Sequence, residues 1–407
     1  LVRAALARGL RVVAAVREGR NVAADAEVVV RRYDLTDAQG LSTLLEGVDG
    51  VIHLAAILTG ETRPPGADED LNVTGARRLL EAARRAGVRR FVFLSSQSAA
   101  RDSPTDYGRS KWEIEQLLDG PGECAVRTGL VSGGPPRGLY GVLYRLSRRM
   151  PLLPIVHHAA PVYPVHVDDL CAGLLSLVED RSEPPRLTRL AAAEPITIGN
   201  YVRRLARARF SRRVRLLPVP GRLILALSRA TRILPFLPTV PAERVRGLMA
   251  LRAMDPAIPR PPSAPATRDV FELLEEEGRT RRLLSEARTL MAYVLGAEPP
   301  PGALRRHVRA VRAEGEPGNL ALPGPVRAFP WLLRLLEPLP DPRADRLRRR
   351  LALATRIVEM TPAAASVFHA YRARSRPVAW LGLAWLVAVE AVCLPFRWLA
   401  GRARPPF

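Results

Sequence analysis

Short apolar runs alternate with segments of helical period through the first half of the chain. Val2 to Gly9 reads as the end of a helix closed by a glycine. Arg11 to Val16 is a short strand, Val28 to Val30 a second that ends at Asp34, and Val48 to Leu54 a third. Asn72 to Ala86 places Leu79, Leu80 and Ala83 on one helical face and stops at Gly87. Phe91 to Leu94 is apolar throughout and too short for a helix, with Ser95 and Ser96 at its end. Strands alternating with helices of this length predict an α/β fold with a doubly wound, parallel, Rossmann-like sheet. The pattern then changes. Five prolines between Pro256 and Pro265 predict a linker, because proline cannot continue a helix or a central strand. Beyond it the period is helical, over Asp269 to Leu295, Ala303 to Ala313 and from Pro330 onward, with no strand signal. The predicted division is 1–190 for the nucleotide-binding domain and 191–255 for the rest of a small substrate lobe. A linker over 256–268 and an all-helical extension over 269–407 complete it.

Charge changes this picture less than its size suggests. The net charge is +22, which invites a nucleic-acid reading. The basic residues are almost all arginine, scattered in pairs through helices, and aromatics make up only 5%, so platforms for stacking bases are scarce. Nucleic acid is therefore not an expected partner; anionic lipid head groups fit that charge better. Cys124, Cys171 and Cys393 are far apart in apolar surroundings, which suits buried packing in a reducing compartment. His53, His157, His158 and His166 lack the spacing of metal ligands, and no metal is expected. Segment 378–400 is apolar and tryptophan-bearing, with Glu390 in its middle and arginines on both sides. As a helix it would extend about 34 Å, enough for a bilayer. It reads either as a membrane-inserted or interfacial helix or as one docked on protein. The corresponding location is the cytoplasm, at the inner face of a membrane.

The sharpest chemistry is Tyr107-Gly108-Arg109-Ser110-Lys111. A spacing of four puts phenol and amine on one helical face. Hydride transfer to or from a carbinol needs a group that moves the hydroxyl proton, and a phenol near pKa ~10 needs a neighbouring cation to do so at neutral pH. Lys111 is the only lysine among 62 Lys+Arg residues. A compact ammonium is the donor that guanidinium does not replace on a ribose. Arg17, just after the second strand, can pair with the 2′-phosphate of NADP, whereas an acidic residue there would suit NAD; Glu18 follows it, and NADP is slightly favoured.

In this setting the stretch from Leu1 to Asp255 resembles the extended and atypical short-chain dehydrogenase/reductases, the NAD-dependent epimerase/dehydratase family, with their motifs in order. Tyr33-Asp34-Leu35-Thr36-Asp37 looks like the acidic turn that reaches the adenine, and Val51 to Ala56 is similar to the strand whose Leu54, Ala55 and Ala56 let a dinucleotide approach the backbone. Asn72 falls at the structural asparagine, Ser96 at the serine that orients the substrate carbonyl, and Thr128 on the strand that flanks the nicotinamide. Pro164 to Leu170 resembles the late motif beside the substrate lobe. The resemblance implies Ser96, Tyr107 and Lys111 as catalytic residues. It implies Arg17, Asp34, Leu35, Leu54, Ala55, Ala56, Asn72, Tyr107, Lys111 and Thr128 as the lining for NADP or NAD. The family opens with a strand and a glycine-rich turn. Here the chain opens on the following helix, so the expected sheet lacks its first strand and glycine loop and reads as N-terminally truncated. The expected function is an NAD(P)-dependent oxidoreductase, epimerase or dehydratase acting on a small-molecule carbonyl or carbinol. The alternative is a non-catalytic nucleotide-binding accessory or assembly subunit of a membrane complex. Leu139, Leu143, Leu146, Leu152 and Leu153 fit either an apolar substrate or a core.

Overall fold

The structure is a computed structural model. It describes residues 1–17, 28–34, 40–57, 70–156, 158–221, 242–315, 318–320, 322–336, 345–362, 384–385, 387–389 and 391–392. The chain divides into two compact units, Leu1–Glu275 and Glu276–Phe407.

The first unit begins α1 (Val2–Leu6), β1 (Val12–Val16), β2 (Val28–Arg32), α2 (Leu41–Leu45), β3 (Gly50–His53), α3 (Leu71–Arg85) and β4 (Arg90–Ser96). It continues α4 (Asp106–Leu117), β5 (Glu123–Thr128), β6 (Leu130–Ser132), α5 (Gly138–Arg149), β7 (Leu152–Ile155), β8 (Pro161–Val162) and β9 (Pro164–His166). α6 (Val167–Glu179), β10 (Leu187–Leu190), β11 (Ile196–Thr197), α7 (Ile198–Phe210), β12 (Arg215–Pro218) and α8 (Ala242–Met249) complete it. The main sheet has the order β10-β5-β4-β3, parallel throughout. β4 explains its layering. Phe91 and Phe93 face one side, into a core with Leu79, Leu80, Ile114 and Leu118 of the α3–α4 layer. Val92, one residue out of phase, faces Leu170, Leu174 and Leu177 of α6 on the other. The two-residue period of a strand divides one apolar run between two layers, as a parallel sheet covered on both faces requires.

The expected strands form, but not as one ladder. Among the described residues β1 and β2 pair only with each other, in parallel, and β3 is the edge of the main sheet. β10, not foreseen as a strand, supplies the opposite edge. The proline-rich stretch differs from the expected linker. Pro259 O accepts a hydrogen bond from Arg189 N of β10 at 2.9 Å, and Ile258 is buried. Arg268 closes the stretch by donating from its main-chain N and its Nε to Asp169, both at 2.8 Å. Proline suits this place too, since a residue without an N–H leaves no donor to satisfy beside a sheet edge. Leu143 and Leu153 are core with Tyr144, Tyr201 and Leu205, while Leu152 is exposed. The apolarity of Leu143 and Leu153 therefore belongs to packing. β6–β9, β7–β12 and the antiparallel β8–β11 build the small lobe around that core.

The second unit takes most of α9 (Val270–Leu295), then α10 (Pro301–Ala313), α11 (Gly324–Ala328), a 3₁₀ turn (Pro330–Leu332), α12 (Leu333–Leu336) and α13 (Asp345–Glu359). Among the described residues it contains no strand. Leu290, Met291, Leu304, Leu347 and Ile357 are part of its core, beside a buried polar group of Glu286, His307 and Arg350. Of 378–400, only Ala384, Trp385, Val387 to Val389, Ala391 and Val392 are described, all helical; Trp380, Glu390, Pro395 and Trp398 lie outside the described residues. No helix among the described residues is long and apolar enough to cross a membrane.

Candidate active site

β4 ends at Leu94-Ser95-Ser96, and the chain turns back into α4. The entry to α4 is capped: Thr105 Oγ1 accepts from Gly108 N at 3.2 Å, satisfying one of the free amides of the first turn. Gly108 also sets how near the helix comes. A Cβ there would meet Ser103 Oγ at 2.1 Å and Ser98 O at 2.5 Å. Only a residue without a side chain allows α4 to lie against the turn that follows β4.

That approach brings Tyr107, Ser96 and Lys111 together. The Ser96 side chain lies near enough to the phenol to pull its pKa down. Ser96 Oγ lies 2.9 Å from Ser98 Oγ and accepts from Ser98 N at 3.2 Å, which fixes its rotamer. Lys111 is buried; its Nζ donates to Leu94 O at 2.8 Å. The ammonium also sits 4.4 Å from the ring centroid of Phe93 and 5.6 Å from that of Tyr107, within reach of both π faces. Burial pushes Lys111 down to about 8, opposed by the charge of Glu115. Burial raises the Tyr107 phenol above its usual value, and the Ser96 side chain offsets only part of this. Burial thus holds the phenol protonated here. His53 is paired with Phe93 across the β3–β4 ladder and stacks on it at 5.7 Å. Burial, and then the Lys111 charge, push the imidazole down to about 3, so it is neutral.

The expected cofactor residues fall into separate roles. Leu54, Ala55 and Ala56 follow β3 directly, with Leu54 and Ala55 exposed. Asn72, buried in the first turn of α3, clamps this segment: Oδ1 accepts from Ile57 N at 2.6 Å, and Nδ2 donates to Ile57 O at 3.4 Å. It is a tether for the backbone. Arg17 Nε donates to Asp34 at 3.1 Å, joining the ends of β1 and β2. Leu35 lies outside the described residues. Thr128 spends its hydroxyl on Leu190 O at 3.1 Å, tying β5 to β10. At the late motif, His166 caps α6, its Nδ1 accepting from Asp168 N at 3.3 Å.

The sequence reading missed Phe93, Ser95, Glu115 and Arg127. Glu115 had a signal. It continues the spacing of Tyr107 and Lys111 by one more turn, and it is buried.

Residues 1–121 match the NAD dependent epimerase/dehydratase family. Sterol demethylase protein B of Methylococcus capsulatus is 40% identical over 134 residues, 32% of this chain and 40% of that protein. Ceramide reductase of Caulobacter vibrioides is 32% identical over 154 residues, 37% of this chain and 47% of that protein. The chain thus spans less than half the length of either relative. A solved structure of Thermus thermophilus UDP-glucose 4-epimerase with NAD is 19% identical, covering 61% of this chain and 93% of that one at a TM-score of 0.44. The stretch matched by the NAD dependent epimerase/dehydratase family, residues 1–121, is the one that carries Ser96, Tyr107 and Lys111.

Proposed function

We propose that the protein is an oxidoreductase that uses a nicotinamide dinucleotide to interconvert a carbonyl and a carbinol. The observation that supports this most directly is the convergence of three groups at one strand end: the Lys111 ammonium 5.6 Å from the Tyr107 ring, with the Ser96 side chain acting on the phenol. The donor set fits the cofactor. An ammonium carries three N–H groups, and the hydrogen bond described for Lys111 uses one, leaving donors suited to ribose hydroxyls. Leu54, Ala55 and Ala56, held by Asn72, offer small side chains and backbone, and Arg17 with Asp34 supplies a charged end. When bound, the nicotinamide would supply or accept the hydride.

The chain's own part is the proton. In the reductive direction Ser96 Oγ donates a hydrogen bond to the substrate carbonyl oxygen and fixes its orientation. Tyr107 Oη gives its proton to that oxygen as the carbon becomes tetrahedral, and the phenolate left behind is stabilised by the Lys111 charge. A phenol held protonated by burial is ready for this direction. Oxidation runs the same steps backward and needs Lys111 charged first. Arg17, whose side chain is 72% exposed, favours NADP over NAD, since it can meet a 2′-phosphate while Asp34 is neutralised by it. Two of the relatives are named for a sterol and a ceramide, so hydroxylated or keto lipids are the first substrates to try. The test is turnover by the full-length protein: oxidation of NADPH or NADH with ketosteroids, ketolipids and nucleotide-sugars. Turnover that survives Tyr107→Phe unchanged overturns the assignment.

A further inference from the structure

Tyr107, Lys111 and Glu115 stand at successive turns of α4, each four residues from the next. Glu115 is 5% exposed, and a carboxylate at such depth is costly unless its oxygens are matched. They are matched from two strands. Ser95 Oγ of β4 donates to Oε1 at 2.5 Å. Arg127 of β5 donates from Nε to Oε1 at 2.8 Å and from Nη2 to Oε2 at 2.7 Å, a two-pronged ion pair. Ser95 lies between Leu94, whose carbonyl takes the Lys111 ammonium, and Ser96, whose side chain lowers the Tyr107 pKa.

An ion pair that merely cross-linked α4 to the sheet could stand anywhere along the helix. This one lies one turn beyond a buried ammonium whose described hydrogen-bond acceptor is an uncharged carbonyl. We propose that Glu115 is a positioning residue for the acid/base pair: pinned by Ser95 and Arg127, its carboxylate supplies the negative charge that keeps Lys111 an ammonium at the site. The direction of its influence agrees, since Glu115 is the group that opposes the loss of the Lys111 proton. This inference rests on the reading of Tyr107 and Lys111 given above.

Because Lys111 is the only lysine in the chain, lysine labelled with ¹³C at Cε gives a single side-chain signal, and its titration can be followed without any turnover. Glu115→Gln should lower the Lys111 midpoint by about one pH unit, a tenfold loss of proton affinity, and Glu115→Asp should restore most of it. Glu115→Gln leaves Arg127 without its carboxylate and can unfold the protein. The double variant Glu115→Gln/Arg127→Gln removes that cation too, and should show a smaller fall in the same direction. In the active protein the alkaline limb of the turnover profile should move with the midpoint. An unchanged midpoint in the folded double variant, or an Asp variant no better than Gln, overturns the proposal. A midpoint that falls while the turnover profile stays in place supports the hold of Glu115 on Lys111 and overturns the catalytic role given to Lys111.

Discussion

β4 and β2 look alike as strings of residues: Phe91-Val92-Phe93-Leu94 in one, Val28-Val29-Val30 in the other. In the fold they are opposites. Val92 and Phe93 are fully buried between two helical layers, whereas Val29 and Val30 of β2 are 53% and 51% exposed. β4 has a strand on each side, and among the described residues β2 pairs with β1 alone. A run of β-branched or aromatic residues marks a strand, but the layers that cover it are decided by segments far away in sequence. The chemistry follows the difference. Ser96, and through α4 Tyr107 and Lys111, are set by the covered strand. Arg17 and Asp34 meet at the ends of the two-stranded pair in a largely solvent-exposed bridge.

The largest effect expected on the covered side is catalytic. Tyr107→Phe in the full-length protein should cut turnover by about 10²–10⁴-fold while leaving cofactor affinity nearly unchanged, measured by steady-state kinetics and by fluorescence titration with reduced cofactor. Equal losses in both would mean that the phenol serves binding. Next comes packing. Phe93→Ala should cost about 3–5 kcal/mol in urea unfolding, against about 0.5 kcal/mol or less for Val29→Ser on β2. Similar costs at the two positions would erase the contrast between the strands.

Acid sharpens the comparison further. Folded His53 resists protonation down to about 3, whereas in the unfolded chain it binds a proton near its ordinary 6.5. Below that value the unfolded state carries the extra proton, so the contribution of His53 to stability is complete above pH 6.5 and declines as pH falls toward 3. His53→Phe should flatten this part of the curve of unfolding midpoint against pH. An unaltered slope would place the imidazole in contact with water. The smallest effect belongs to the exposed pair. Arg17→Ala should change stability by about 1 kcal/mol or less, as surface ion pairs do. If Arg17 meets a 2′-phosphate, its loss should weaken NADP without weakening NAD, and parallel weakening of both would remove it from cofactor choice.

What could be read in advance is what is local. Tyr107 and Lys111 share a helical face by spacing alone, and the run ending at Ser95-Ser96 announces a strand end. The separation of β1–β2 from the main sheet and the edge position of β10 depend on pairing between distant segments, which periodicity does not record. Thr128 shows the same limit at one residue. Its place on β5 was legible, but the commitment of its hydroxyl to Leu190 O depends on a strand some sixty residues further on that was not foreseen. Glu115 was legible and overlooked, because a charged residue on an amphipathic helix ordinarily faces water. The prolines of 256–265 suit a linker and the flank of a sheet equally, and sequence does not choose between them.

Gly108 has a bearing on how such sites change over time. Its neighbours leave no room for a methyl group, and one of the two nearest atoms is a main-chain oxygen that cannot rotate aside. Any substitution there would push α4 off the turn at Ser98 and carry Tyr107 away from Ser96 while leaving every reactive group in place. Such a lineage would retain its tyrosine, lysine and serine and lose their alignment. In this chain the glycine after the tyrosine is therefore as much a part of the site as the tyrosine and the lysine that carry the chemistry.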